Sequence, residues 1–206
     1  MAAVEPGRGP GSVTGIDNVG SAVRAAAGLL GTPDLVVHVP ALPDGPTTII
    51  HQSTEAWAAS CEAPMAEAIG VARSIGELTA ASAGEQAEDA PRLVWILPTT
   101  ALGGAAGYVG VGAAGEGIRA LAKGVAKQWG RRCTTTVLAV SPTTLFDGVG
   151  PADEGSLSPP ALGKPENAAI HVATEIASLV DLLADPRNRA TTGATVVADG
   201  GTWMAP

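Results

Sequence analysis

Apolar residues recur along this chain with two alternating periods. The first stripe has helical spacing and consists of Val19, Val23, Ala26, Ala27 and Leu30. It predicts a helix that begins with Asp17 as its N-cap and ends at Gly31. Residues 34–40 follow as a short, continuous apolar run closed by proline, which is typical of a strand covered on both faces.

The same alternation continues to the end of the chain. A helix is predicted from Ser53, its N-cap, to about Ala81. Beyond it we expect strands over 93–97, 134–140 and 194–198, and helices over 109–129 and 167–183. Strands that alternate with helices of this length imply crossover connections, hence a three-layer α/β domain with a parallel sheet.

Length and composition limit the classes of protein. A chain of 206 residues with 46% hydrophobic content fits one domain, here residues 13–206 after a flexible lead at 1–12. The net charge of −8, with only Arg131 and Arg132 adjacent, argues against nucleic-acid binding. Apolar runs fall well short of the ~20 residues that span a bilayer, and no signal peptide is recognisable. We therefore expect a cytoplasmic protein without a membrane partner.

The two cysteines add little chemistry. Cys61 and Cys133 are far apart in sequence, and no second pair accompanies them. A disulfide framework or a metal site is therefore not expected, and both should be ordinary buried thiols.

A family resemblance begins at the carboxyl end of the chain. Residues 192–201, Thr-Gly-Ala-Thr-Val-Val-Ala-Asp-Gly-Gly, resemble the C-terminal signature of the short-chain dehydrogenase/reductase (SDR) family, particularly its 3-oxoacyl-thioester reductase branch. Other segments match the family in the same order, and they are Gly31–Val37, Glu55–Trp57, Arg92–Ile96, Ala126–Gly130 and Val137–Pro142. The resemblance implies a Rossmann-like sheet with NAD(P)-dependent chemistry.

The same resemblance implies that the cofactor site is missing. The family holds the pyrophosphate on a glycine-rich turn after its first strand, through backbone N–H groups at a helix N-terminus. Matched from residue 13 onwards, this chain lacks the usual first strands and that turn, and residues 7–11 follow no predicted strand. The family's Asn-Asn-Ala-Gly is replaced by residues 38–41, His-Val-Pro-Ala. We expect this chain to bind no cofactor.

The catalytic positions are also altered. The family's acid/base Tyr falls at Val111, and the Lys that lowers the pKa of that Tyr falls at Gly115. The substrate-orienting Ser falls at Pro98 or Thr99, depending on a one-residue shift, and the relay Asn falls near Pro64. None of the residues at the Tyr and Lys positions can exchange a proton, so we predict no catalytic residues, no cofactor-binding residues and no metal ligands.

The remaining polar candidates favour structural roles. Tyr108 is the only tyrosine, but glycine stands four residues later, so no ammonium group stabilises its phenolate. Thr99 and Thr100 at a strand end more often satisfy backbone groups than ligands. His38 in a strand and His51 in a loop are more often packed or solvated than catalytic. The acidic residues Asp147, Asp153 and Glu154 are expected in a solvated loop, and the turn at Asp199 is expected to be structural.

These losses predict a non-catalytic subunit of a heteromeric SDR complex, with NAD(P) in an intact partner. The resemblance implies pairing through the helices near 55–81 and 109–129. Small residues on the later helix allow close helix approach, among them Gly110, Gly112, Ala114, Gly117 and Ala122. Arg at Ala122 or Val125 should then split the complex.

Two alternatives stay open. One is an SDR-like enzyme repurposed for a non-redox step such as hydration, dehydration or cyclisation, for which the sequence shows no nucleophile–base pair. The other is a homodimeric ligand-binding module. In every case the apolar edge at residues 35–39 has lost its family neighbour and requires a cover.

Overall fold

A computed structural model describes residues 16–42, 46–80, 90–145, 171–201 and 203. Its main helices are α1 (Ile16–Leu30), α2 (Thr54–Trp57), α3 (Ala63–Ala80), α4 (Thr100–Gly103), α5 (Val109–Trp129), α6 (Pro142–Leu145) and α7 (Ala177–Ala184). Single π turns precede α3 (Ala58–Glu62) and α7 (Val172–Ile176), and 3₁₀ turns cover Ile49–His51, Gly130–Arg132 and Pro186–Thr191.

Four parallel strands form one sheet. They are β1 (Leu35–His38), β2 (Arg92–Pro98), β3 (Thr134–Val140) and β4 (Thr195–Ala198), and they lie in the sheet in that order. Because the strands lie in the sheet in the order of the sequence, each crossover connects two adjacent strands. Within the described residues β1 is therefore one edge of the sheet and β4 the other, and β2 and β3 lie between them.

Helices cover both faces of the sheet, which confirms the three-layer architecture predicted from the sequence. Leu93, Trp95 and Leu97 of β2 pack with α3 and α5 on one face, and Val94 and Ile96 pack with α7 on the other. Both sets are almost fully buried because a central parallel strand has no solvent-facing side. Helix α1 lies against α3 as an outer member of the first layer.

The entry to the α2–α3 helix follows its sequence. Ser53 is the N-cap, as predicted, and its Oγ accepts a hydrogen bond from the Ala56 N–H at 3.1 Å. Pro64 stands second in α3 and has no N–H to donate, and the widened π turn just before it absorbs the missing bond. The helix therefore continues through a proline that would otherwise end it.

Glycines set the distance between α5 and its neighbours. A Cβ on Gly110 would overlap Ser60, one on Gly115 would overlap Ala101, and one on Gly117 would lie 2.6 Å from Met65 Sδ. These contacts are all within the chain. Gly110, Gly115 and Gly117 therefore serve close packing against the π turn, α4 and α3 of the same chain.

The expected effect of arginine at Ala122 or Val125 is consequently wrong. Ala122 is 1% exposed and Val125 is 5% exposed, and both belong to the core between the sheet and the first helical layer. The apolar face of α5 points inward because the sheet needs it. Arginine at either position would disrupt the domain itself before it reached any interface.

The predicted element boundaries agree with the structure within a few residues. Helix α5 and strand β3 have the expected bounds, while α1 already includes Ile16, so Asp17 lies inside its first turn and is not the N-cap. The expected flexible lead at 1–12, the first residues of the helix expected at 167–183, and residues Asp147, Asp153 and Glu154 lie outside the described residues.

Two glycines of α5 test this packing. Gly115→Ala should lower the free energy of unfolding by about 1–3 kcal/mol, because the added methyl overlaps Ala101. Gly124→Ala should raise it by up to ~1 kcal/mol, because no atom lies within 4 Å of the new Cβ and alanine favours the helix. Urea unfolding of both variants measures the difference. Equal effects of the two substitutions would contradict the packing described here.

Candidate functional site

The carboxyl edge of the sheet carries the residues singled out from the sequence. Thr99 and Thr100 follow β2 directly, and the Thr99 N–H donates to the Val140 carbonyl at 2.8 Å, which fixes the turn into α4. Both threonines are fully buried, and neither hydroxyl has a hydrogen-bond partner among the described residues. The strand end therefore presents two buried hydroxyls to the space before α5.

That space is filled by apolar side chains of the chain itself. Tyr108 at the N-cap of α5 and Val111 one turn later are buried together, and Leu42, Ala105 and Leu145 pack against them. These residues come from three different connections at the carboxyl edge. Their convergence leaves Val111 in an apolar environment.

A backbone contact holds one wall of this cluster. The Thr47 N–H donates to the Gly107 carbonyl at 2.8 Å. Gly107 has a positive φ of 85°, and a Cβ there would lie 2.5 Å from Pro46 Cβ, so only glycine allows this approach. The connection after β1 is thus fixed across the edge, beside the start of α5.

His38 at the end of β1 is packed rather than solvated. Its ring meets Trp95 edge-on, with centroids 5.2 Å apart, and Trp95 in turn donates from Nε1 to Thr135 Oγ1 at 2.7 Å. Burial lowers the pKa of His38 from 6.5 to about 4. The imidazole is therefore neutral near pH 7 and is a core side chain, as the sequence suggested.

Glu67 is the titratable residue that sequence reasoning missed. It lies on the inner side of α3, is only 4% exposed, and its Oε2 accepts from the Ala41 N–H at 3.5 Å. Burial raises the pKa of this carboxyl, and the hydrogen bond from Ala41 partly offsets the effect. The signal available in the sequence was the position of this acid, which lies on the same side of the helix as the buried residues Pro64, Val71 and Ile75.

The last strand ends in a turn held by a carboxylate. Asp199 is buried, and its two oxygens accept from the Gly201 N–H at 3.0 Å and the Trp203 N–H at 2.8 Å. Gly200 and Gly201 both adopt positive φ in this turn. Both of these hydrogen bonds come from backbone N–H groups, which agrees with the structural role expected of Asp199.

The described part of the chain contains neither a candidate metal site nor a candidate membrane-spanning helix. No group of three or more His, Cys, Asp or Glu residues there could hold a metal ion. Both cysteines are free thiols, Cys133 buried and Cys61 only partly so. None of the described helices is long and apolar enough to cross a bilayer.

Comparison with known proteins assigns the family. Residues 9–202 match the sequence model of the family described as Enoyl-(Acyl carrier protein) reductase. This chain belongs to the short-chain dehydrogenase/reductase family. No curated protein matches it significantly.

Two solved structures share the SDR fold. One is a short-chain dehydrogenase/reductase from Brucella melitensis titled glucose/ribitol dehydrogenase, with 16% identity, a TM-score of 0.67, and 93% of this chain covering 73% of the other. The second is a short chain dehydrogenase from Mycobacterium avium, with 21% identity, a TM-score of 0.70, and 92% of this chain covering 60% of the other. The chain thus spans about three fifths to three quarters of these structures.

The structure brings most of the matched SDR positions together. Pro98 and Thr99 end β2, while Val111 and Gly115 lie one turn apart on the inner side of α5, and α4 packs between these two elements. Pro64 lies on α3, just after the π turn that meets Gly110. The sequence alignment therefore places the matched residues around one edge of the sheet, as expected of an SDR.

The buried imidazole gives a test of the site's electrostatics. The pKa of His38 is lower in the folded than in the unfolded chain. Its contribution to the stability of the fold is therefore fully present above pH 6.5 and is lost as the pH falls towards 4. His38→Phe keeps the edge contact with Trp95 and removes the titration. Acidification should therefore lower the free energy of unfolding of the parent by about 3 kcal/mol more than that of the variant.

Urea unfolding at pH 7 and at pH 4.5 measures this difference. The raised pKa of Glu67 acts in the opposite direction, destabilising the fold as the pH rises above 4.5, but it is common to both proteins and cancels. His51→Phe, at an exposed imidazole, is the matched control. Parallel acid profiles for the parent and His38→Phe would contradict the burial of a neutral imidazole.

Proposed function

We propose that this chain is a non-catalytic subunit of a heteromeric SDR complex in the cytoplasm. Its partner is an intact SDR that oxidises or reduces a hydroxyacyl or oxoacyl thioester, or a similar carbonyl compound. The observation that carries the proposal is steric. The position matched to the family's catalytic Lys is Gly115, and even a methyl group there would overlap Ala101 of α4.

The position matched to the catalytic Tyr supports the same proposal. Val111 is buried among Tyr108, Leu42, Ala105 and Leu145. A general acid must reach the atom that it protonates, and it gains its altered pKa from a neighbouring charge. The apolar cluster provides neither a proton donor at that position nor the ammonium group that would activate Tyr108.

The residues at the carboxyl end of β1 do not fit a dinucleotide. A pyrophosphate is held by free backbone N–H groups and is repelled by a nearby carboxylate. The described residues contain no glycine-rich turn of this kind. At residues 38–41, which replace the family's Asn-Asn-Ala-Gly, the Ala41 N–H already donates to the buried Glu67. We therefore propose that NAD(P) is bound by the partner subunit and not by this chain.

The partner contact is proposed for the outward faces of α3 and α5. Both helices direct their inner faces at the sheet, and their outer faces remain exposed in the single chain. The outer surface of this helix pair and of the π turn before α3 includes Ala59, Ile69, Ala113, Ala120, Lys123 and Gly124. Apart from Lys123 these residues are small or apolar, which allows a second pair of helices to pack closely.

Arginine at Gly124 tests the partner contact without disturbing the domain. A Cβ at Gly124 meets no atom within 4 Å and arginine favours the helix over glycine, so Gly124→Arg should not lower the melting temperature of the isolated chain and should raise it slightly. In a close-packed interface the unpaired charge should cost about 3–5 kcal/mol and abolish co-purification with the SDR partner. Size exclusion of co-expressed proteins measures the loss.

Gly28→Arg is the matched control, because Gly28 of α1 also has open space around it and lies outside the proposed interface. It should co-purify as the parent does. Equal behaviour of the two variants beside every SDR tried, together with a well-folded monomeric parent, would refute the proposed subunit role.

Cofactor binding is tested separately by isothermal titration. The purified chain should show no saturable binding of NADH or NADPH, with a dissociation constant above ~1 mM for each. The intact partner is the positive control and should bind one of them. Low micromolar binding by this chain alone would overturn the proposed absence of a cofactor site.

One observation favours a second candidate, a ligand-binding module. The hydroxyls of Thr99 and Thr100 are buried and have no hydrogen-bond partner among the described residues, and such groups can hold a carbonyl oxygen. If this is their role, Thr99→Ala should weaken the binding of an acyl thioester by the assembled complex. Under the subunit proposal the same substitution changes neither binding nor activity beyond a few-fold.

A further inference from the structure

Among the described residues, no strand pairs with the outer edge of β1, and one row of its backbone groups faces away from β2. The Arg92 N–H donates to the Asp34 carbonyl at 2.9 Å, and Val36 stands opposite Leu93 in the parallel register. In a parallel pair alternate residues of a strand bond to the neighbour, and those between them point away from it. Val36 and His38 therefore bond to β2, and Leu35 and Val37 direct their N–H and C=O groups outward.

The side chains along this edge are also incompletely covered. Leu35 packs against the α7 face, and Val37 lies on the same face because side chains alternate along a strand. Val37 is 40% exposed, and Val39, which follows the last residue of β1, is 52% exposed. The last two residues of α1, Leu29 and Leu30, are mostly exposed as well and precede β1 by a short turn.

The edge lacks the usual protection against strand pairing. Charged side chains, bulges or prolines at outward positions normally block it. From Leu35 to Ala41 the only titratable side chain is His38, which is buried and neutral at pH 7. Pro40 occupies an inward position in the alternation, so its missing N–H removes no outward donor.

We propose that β1 pairs with β1 of a second copy of this chain, antiparallel about a two-fold axis at Val37. In this register Val37 faces its own counterpart, and Leu35 faces Val39 of the other copy. Each of these pairs can exchange both main-chain hydrogen bonds. The two exposed valines of each copy then lie against apolar side chains, on the one face where they are uncovered.

Self-complementarity favours a second copy over another occupant. An isologous contact brings the same patch together twice, so the open donors and acceptors of one edge match those of the other. The register places Asp34 opposite Pro40 of the other copy, so no like charges oppose each other at these positions. The alternative register centred on Val36 would place Pro33, which has no N–H, opposite Val39.

The proposed contact leaves the outward faces of α3 and α5 unused. It joins two sheets edge to edge through β1, whereas the SDR partner of the proposed function would bind the helical layer. Two copies of this chain can therefore bind two partner subunits at the same time. The two contacts fail independently, so their tests are separable.

Sedimentation equilibrium of the full-length chain, alone and in complex with its SDR partner, tests the proposal. The parent should be a dimer through β1, and Val37→Lys should weaken self-association about tenfold or more, which halves the mass of the complex without releasing the partner. Val197→Lys is the matched control, because Val197 lies on the opposite edge strand β4 and is 38% exposed. It should leave the mass unchanged.

Hydrogen exchange resolved to single amides provides the second measurement. The amides of Val36 and His38 should be protected in every folded form, and those of Leu35 and Val37 should be protected in the dimer and exchange rapidly in Val37→Lys. A parent that stays monomeric at all concentrations overturns the proposal, as does a Val37→Lys variant that stays dimeric. Slow exchange of Leu35 and Val37 in a monomer also overturns it, because another part of this chain would then cover the edge.

Discussion

The close approach of α5 to its neighbours is the constraint on which the rest of the domain depends. Gly110 and Gly115 stand where any side chain would overlap the π turn or α4. Their absence of side chains lets α5 lie deep against β2 and β3, so that Ile118, Ala122 and Val125 reach the core. Gly115 is also the position matched to the family's catalytic Lys. The packing of α5 and the proposed lack of catalysis therefore share one steric cause.

The fold could be predicted well from the sequence because its signals are local. Periodicity located α5 and β3 with their observed bounds, and Ser53 marked the start of the second long helix. The parallel, Rossmann-like character of the sheet was implied by the family resemblance. What covers the apolar face of each helix could not be predicted, because the apolar residues of α5 do not indicate whether the sheet or a partner protein packs against them. In the structure, Ala122 and Val125 are buried in the core between α5 and the sheet.

The carboxyl edge was harder to predict because it is assembled from distant connections. Val111 could be identified as the matched position from spacing alone, but its apolar neighbours Leu42 and Leu145 come from connections far from it in sequence. Glu67 escaped notice since a single acid on a long helix usually faces solvent. Its partner, the Ala41 N–H, lies in the connection after β1, 26 residues earlier in the chain.

The contact between Gly115 and Ala101 also bears on how such a chain can evolve. Regaining a lysine at position 115 is of no use while the Ala101 methyl occupies the space, and moving α4 without that lysine opens a void in the interior. Each single step is thus disfavoured, although the pair of steps together is not. Under the proposed function, the contact between α4 and α5 therefore acts against the return of a catalytic lysine at position 115.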